Sequence, residues 1–550
     1  MIGAAMAAAL ETLRSHRLAI AVFTLLSIVH TWPLATNPAR LSLHDNSDTM
    51  LNEWIIAWVV RQLSRDPAHL FDGNIFYPAE DSLAFSEPLM VPAVIAAPVF
   101  WLGGSPVLAY NLLLLVGFTF TALATYGVAF SWTGDRIGAI VAGSLFAFNT
   151  HTLTRLPHLQ AIHAYGLPLA LFFADRLIRQ PRRRAAAGLV AAMGLMTYTS
   201  GYLVVFATIA IAIALLVRLA EWRRHYRHVI AALAVAATAT AILALPIVIP
   251  YRRVAKEQGM VRSVDSVRQF SATPAGYLAA TGRLHFALWS ARFNRNPVDT
   301  FFPGVLALAF AAVGVWGTLR RRVYSGRALM LVAIATIGFV LSLGPKTPLY
   351  GWLYEVFPPM QGLRAAARFG NLFLLSVALL AAFGLAELRK PYAGRRGMVV
   401  FSMAAIVLVN VEALRAPIHY RRFDGIPRIY DLIAAEPGRV VLAEVPFYPA
   451  HAAFENGEYV LNSTAHWRLL MNGYSGYTPA SYRRLAWIFW YFPREHAIEA
   501  MRNAGVTHFT VHPARLGGKA SETIEVLSRR ADVELVAVGG DRGIRLYRFR

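Results

Sequence analysis

Twelve apolar runs follow one another along this chain, parted by short basic clusters, and that alternation constrains the fold more than any motif does. The runs are Leu18–Ala35, Pro88–Leu102, Pro106–Phe130, Ile137–Asn149, Ile162–Ile178, Ala185–Thr199, Tyr202–Leu219, Val229–Ile249, Phe302–Leu319, Ala328–Leu343, Phe369–Leu385 and Met398–Leu414. A helix needs about 20 apolar residues to cross a ~30 Å hydrocarbon core, where every backbone polar group must be satisfied within the chain. The basic clusters are Arg14–Arg17, Arg179–Arg184, Arg218–His228, Leu319–Arg327 and Leu388–Arg396. Such spacing is what the excess of Lys and Arg in cytoplasmic loops produces. The net charge of +22 is therefore not a nucleic-acid signal, because the basic residues form no contiguous face. Charged residues are only 15% of the chain, against about a quarter in soluble domains. With no cysteine, disulfides and thiolate chemistry are excluded.

Arg14, His16 and Arg17 before Leu18–Ala35 look like a secretory signal. No convincing small-x-small cleavage site follows, so the run reads as a retained helix running from inside to outside. Charge parity orders the rest. If all twelve runs span, Arg179–Arg184 and the later basic loops fall outside. If Pro88–Leu102 lies at the surface, all five clusters fall on one side. That run is short, carries Pro88, Pro92 and Pro98, and ends at Gly103-Gly104. The expectation is a polytopic α-helical membrane protein with about eleven transmembrane helices, N-terminus cytoplasmic and C-terminus outside. Parity puts residues 37–105, 251–301 and 344–368 on the outer face, with a shorter outer loop at 150–165. The transmembrane domain is then 1–414. Beyond Leu414, strands are expected at Arg439–Val445, Thr507–His512, Val533–Gly539 and Ile544–Phe549, and helices at Ser481–Trp490, Arg494–Ala504 and Ala520–Arg529. Residues 415–550 thus read as a small periplasmic α/β domain. It carries no Gly-rich phosphate loop or nucleophile elbow, which suits an accessory or lid domain.

Chemistry is concentrated in the outer loops. Asp45 and Asp48 precede an amphipathic stretch, Thr49–Gln62, too polar to span and too apolar for water, expected at the interface with Trp54 and Trp58 at headgroup depth. Either carboxylate could cap that helix, or one could serve as a general base at the membrane surface. Asp72-Gly73-Asn74 reads as a turn, and Glu87 as a cap of the next helix or a second active-site carboxylate. The loop bearing His151, Arg155, His158, Gln160 and His163 could join the carboxylates in a divalent metal site, with Asp48 and His158 the candidates, though no tight ligand spacing is present. Arg364 and Arg368, four apart at the mouth of a span, could clamp a phosphate or snorkel to headgroups.

Several of these stretches resemble a branch of bacterial polytopic proteins: Ser47–Trp58, Phe71–Pro78 and Ser86-Glu87 in the first loop; Ala109–Leu112, His158-Leu159-Gln160, Phe302-Pro303-Gly304, Ser342–Pro345 and Arg364…Arg368-Phe369 beyond it; and Asn472-Gly473-Tyr474-Ser475-Gly476 in the tail. The branch is similar to the GT-C superfamily of membrane glycosyltransferases and to the YfhO-like and RgtA-D-like proteins. This resemblance implies a polyprenyl-phosphate sugar donor, inverting transfer on the outer face, a catalytic Asp in the first outer loop, and interfacial helices there. Asp48 stands where the branch has its acid. Asp45 and Asp48 are three apart, unlike the adjacent or DxD pair of many GT-C enzymes, which leaves metal dependence open.

The resulting expectation has Asp48 and Glu87 as catalytic carboxylates, and Asp45, Asn52, Trp54, His158, Gln160, Arg364 and Arg368 as substrate-binding residues. The partners are a polyprenyl-phosphate-linked sugar and membrane lipids of the bacterial inner membrane, with no nucleic acid. A transporter or flippase would use the same helices without a base, and a scaffold would bind through the tail. A transporter should place ionisable residues in mid-span.

Overall fold

The computed structural model describes residues 2–260, 262–295, 299–322, 324–390, 396–540 and 542–550, with side chains from residue 16 onward. The Arg14 side chain and residues 391–395 of the last basic cluster lie outside the described residues. Every apolar run is helical at its core. Among the described residues six helices are long and apolar enough to cross a membrane: Pro106–Thr133, Leu159–Arg179, Leu219–Gln258, Ser325–Ser342, Ala366–Arg389 and Arg396–Ala413. Shorter apolar helices accompany them, at His16–His30, Met90–Trp101, Arg136–Ala147 and Gly201–Val217. The long helix Leu219–Gln258 is scarcely buried and exposes Val235, Ile242, Leu243, Leu245 and Ile249, as a lipid-facing surface does.

The chain divides into two compact units. Unit 1 comprises Met1–Asn37, Leu112–Ile247 and Val261–His419. Its centre is the buried helix Gly370–Arg389, against which Val305–Arg321 packs through two glycines. A Cβ on Gly384 would strike the Phe310 carbonyl, and one on Gly314 the Leu380 carbonyl. Small residues at such a crossing let two backbones approach, as membrane helices do.

Residues of several basic clusters are paired within unit 1. Asp175 is buried and bridges Arg218 and Arg327, at 2.5 and 2.8 Å. Arg321 pairs with Glu387 at 3.4 Å, and Arg389 with Asp135 at 2.9 Å. His16 reaches the Tyr126 hydroxyl at 2.9 Å. These charges sit at or near helix ends.

Unit 2 comprises Pro38–Asn111, Val248–Met260 and Tyr420–Arg550, so the first loop and the tail form one body. Strand β1 (Leu41–Ser42) pairs antiparallel with β2 (Arg421–Arg422). A second sheet contains β3 (Val441–Val445), β4 (Leu469–Leu470), β5 (His508–Val511), β6 (Val533–Gly539) and β7 (Ile544–Phe549), in the order β4-β3-β5-β7-β6. The strands β4, β3 and β5 are parallel, while β7 and β6 are antiparallel. Helices Ala480–Phe489, Glu495–Asn503 and Ala520–Ser528 lie where the sequence puts them. Further helices, among them Ile429–Ala435, Gly457–His466 and the short Pro513–Leu516, and the two-residue β4 go beyond the sequence expectation.

The run Pro88–Leu102 is the helix Met90–Trp101, at 12 residues too short for the ~30 Å core. It buries Met90, Ala93 and Ala96 and exposes Val94 and Trp101. The other first-loop helix departs from expectation. It spans Ser47–Arg65 and is continuously buried within the protein from Thr49 to Val60, Trp54 and Trp58 included. The two indoles stack at 5.9 Å, with their N–H groups donated to Asn74 Oδ1 and the Leu70 carbonyl. The polar residues that gave the segment an interfacial look, Asn52 and Glu53, are buried beside the Tyr110 hydroxyl and His44.

Candidate active site

The head of the Ser47–Arg65 helix shows which first-loop carboxylate is available for chemistry. Neither Asp45 nor Asp48 caps it; Asn46 does, its Oδ1 accepting the Asp48 N–H at 2.9 Å. Asp45 is exposed and ion-paired with Arg421. Asp48 lies in the first helical turn, half-buried, and its Oδ1 accepts the Tyr474 hydroxyl proton at 2.6 Å. The helix N-terminus favours negative charge there.

Beside Asp48 is a pair that sequence reasoning gave no role. His44 Nε2 lies 2.8 Å from Glu53 Oε2. Burial alone would lower the His44 pKa, but the Glu53 carboxylate outweighs it and holds the imidazole above its ordinary value. Glu53 is itself raised by burial, with His44 opposing. The available signal was a lone carboxylate directly before Trp54-Ile55-Ile56-Ala57-Trp58.

Glu87 is half-buried and is not a cap, since its helix starts at Met90 with Leu89 as the flanking residue. It lies next to Ser86, whose carbonyl accepts the Tyr251 hydroxyl. Asp72 acts within its turn, accepting the Asp81 N–H at 3.2 Å. Burial raises the Asp81 pKa, against the pull of Arg253 at 3.0 Å. Phe76, Asp81 and Leu89 all have positive φ, of 63°, 50° and 46°. Backbone strain in non-glycine residues collects at functional sites, and here it falls on both sides of Glu87.

Unit 1 holds the cationic candidates. Arg364 and Arg368 are not on one helix face: Ala366–Phe369 is a 3-10 turn and the helix begins at Gly370. Tyr202 unites them instead, because its hydroxyl accepts the N–H groups of Arg364 and Ala365, while the Arg368 guanidinium lies 4.5 Å from its ring. Arg364 covers Phe270 at 4.6 Å. Among the described residues no carboxylate pairs with either guanidinium. His151 is buried on the Phe301 ring, and neither of its nitrogens has a hydrogen-bond partner. Burial, then Arg155, Arg368 and His158, push its pKa well down, so the imidazole is neutral in a cationic surround. Gln160 is buried with its Oε1 unpaired.

Asp48 and Glu87 thus belong to unit 2, and His158, Gln160, Arg364 and Arg368 to unit 1. Among the described residues no three of His, Asp and Glu side chains gather as a metal-ligating group.

No protein-family model matches the chain, and no curated protein matches it in sequence. Solved structures do. The mycobacterial arabinofuranosyltransferase AftD aligns over 98% of this chain with a TM-score of 0.64 and 17% identity. This chain spans only 40% of that enzyme's length. The Archaeoglobus fulgidus oligosaccharyltransferase, tethered to an acceptor peptide, aligns over 93% of this chain and 71% of its own, with a TM-score of 0.51 and 13% identity. The chain has the fold of the GT-C membrane glycosyltransferases.

Proposed function

We propose that the protein is a membrane glycosyltransferase that moves a sugar from a polyprenyl-phosphate donor to an envelope glycan, lipid or protein, at the outer face of the bacterial inner membrane. The carrying observation is Asp48, a half-buried carboxylate bonded by Tyr474 at the head of the first-loop helix of a GT-C fold. Asp48 takes the proton of the acceptor hydroxyl as that oxygen attacks the anomeric carbon. The bond from that carbon to the phosphate oxygen breaks, polyprenyl phosphate departs with the electron pair, and the anomeric configuration inverts. Glu87 orients the acceptor. Arg364 and Arg368, fixed by Tyr202, bond the donor phosphate and hold the charge that develops on it, with His158 and Gln160 as further donors. Asn52 and Trp54, buried and engaged with Tyr110 and Asn74, support the helix that carries Asp48. The finer placement among YfhO-like proteins rests on the sequence stretches named above.

The test is transfer of labelled sugar by the purified protein, beginning with polyprenyl-phosphate arabinofuranose because an arabinofuranosyltransferase shares the fold. Asp48→Asn should lower kcat/KM about 10²–10⁴-fold, the usual worth of a general base. Full activity in that variant would remove Asp48 from the role.

A further inference from the structure

The stretch Asn472–Tyr477 belongs to the C-terminal part of unit 2 and reaches the surroundings of Asp48 and Glu87. It is anchored at each end. Asn472 is buried and closes a ring on the main chain of Glu444 in β3, accepting its N–H at 2.7 Å and donating to its carbonyl at 3.0 Å. The Asn472 carbonyl accepts the Phe76 N–H at 3.1 Å. Gly473 lies against the Phe76 ring, where a Cβ would collide, and its carbonyl accepts from Asn456 Nδ2 at 3.0 Å. At the other end Gly476 passes the Phe85 carbonyl and Ser86, next to Glu87, and the Tyr477 hydroxyl donates to the Gln258 carbonyl at 2.8 Å. Tyr474 is held between these anchors with its hydroxyl on Asp48 Oδ1. The 2.6 Å separation is that of a charge-assisted O–H···O⁻ bond.

We infer that Tyr474 is a positioning residue for Asp48: the C-terminal domain supplies the hydroxyl that orients this carboxylate and favours its ionised form. The inference rests on Asp48 as the base only for its catalytic meaning; the positioning itself is a property of the free protein. A proton donor on a carboxylate stabilises the charged state, so its removal should raise the pH at which Asp48 protonates. The segment is then part of the acid–base site rather than a lid over it, which accounts for two glycines and a buried Asn fixing one tyrosine in place.

The experiment follows carbodiimide modification of Asp48 in the full-length protein in detergent as a function of pH, read by peptide mass spectrometry, since the reagent attacks the protonated carboxyl. Tyr474→Phe keeps the ring and should move the midpoint up by about one pH unit, the worth of one hydrogen bond to a charged group. Tyr477→Phe loosens the same segment without touching Asp48 and should leave the midpoint unchanged. An unmoved midpoint in Tyr474→Phe, or an equal shift in both variants, overturns the inference. Transfer activity is read separately: a fully active Asp48→Asn protein would overturn the base assignment while leaving the midpoint result to decide on Tyr474.

Discussion

Two histidines of unit 2, the buried His466 and the half-buried His44, respond to pH with opposite sign, and each traces to its neighbours. His466 lies under Tyr430 with Nδ1 taken by the Arg468 N–H. Burial holds its pKa down to about 4, Glu444 opposing and Arg468 adding to the fall. A folded-state pKa below the unfolded value of ~6.5 stabilises the protein above that pH, and the stability is lost as pH falls towards 4. The full loss is about 3 kcal/mol, at 1.36 kcal/mol per unit. His44 is raised, so its contribution is complete below pH ~6.5 and is lost as pH rises through its folded-state value. Thermal unfolding in detergent should therefore show Tm falling between pH 6.5 and 4.5, with a shallower fall in His466→Gln. Equal slopes in the two proteins would assign the acid sensitivity elsewhere.

Elements with a strong period were legible; contacts made by single polar atoms were not. Val533–Gly539 and Ile544–Phe549 have the bounds the sequence predicts, because both are short runs rich in β-branched or aromatic residues set off by glycines between them. β4 has two residues and no period to read, and it exists through its pairing with β3. The Thr49–Gln62 stretch was read as a helix, but its polar residues suggested an interface that Tyr110 and His44 in fact cover. Arg364 and Arg368 were placed near one another for the wrong local reason, since their common partner Tyr202 lies 162 residues from Arg364. Asp48 was singled out, whereas Tyr474, 426 residues away, could not be joined to it by any spacing rule. The glycine crossing in unit 1 tests the packing of elements directly. Gly384→Leu must push the helices Gly370–Arg389 and Val305–Arg321 apart at Phe310, costing at least ~2 kcal/mol. Gly397→Leu, where a side chain meets open space, is the matched control. A Gly384→Leu protein melting with wild type and with Gly397→Leu would show the crossing to be loose.

At the scale of the whole molecule, the chain order and the compact units disagree, and the disagreement has a functional consequence. The first loop, Pro38–Asn111, is contiguous with membrane helices in sequence, yet it packs with Tyr420–Arg550 in unit 2. β1 takes its partner β2 from the tail, Asp45 its counter-ion Arg421, Asp48 its donor Tyr474, and Asn74 donates to the Arg468 carbonyl. Gly457, at the start of the helix Gly457–His466, sits on Ser47 and Met50. A chain ending at His419 keeps the membrane helices but leaves the Ser47–Arg65 helix with a bare apolar face and an unsupported carboxylate. Its first loop should be cut by trypsin at Arg61, half-buried within its helix in the full chain, much faster than the full chain is cut there. Sugar transfer should fall to background in the same preparation. A scaffold whose tail only captures partners predicts the reverse, with transfer undiminished and capture lost. Wild-type transfer by the truncated chain would therefore separate the tail from the site, and a protected first loop in that chain would show that it folds without the sheet.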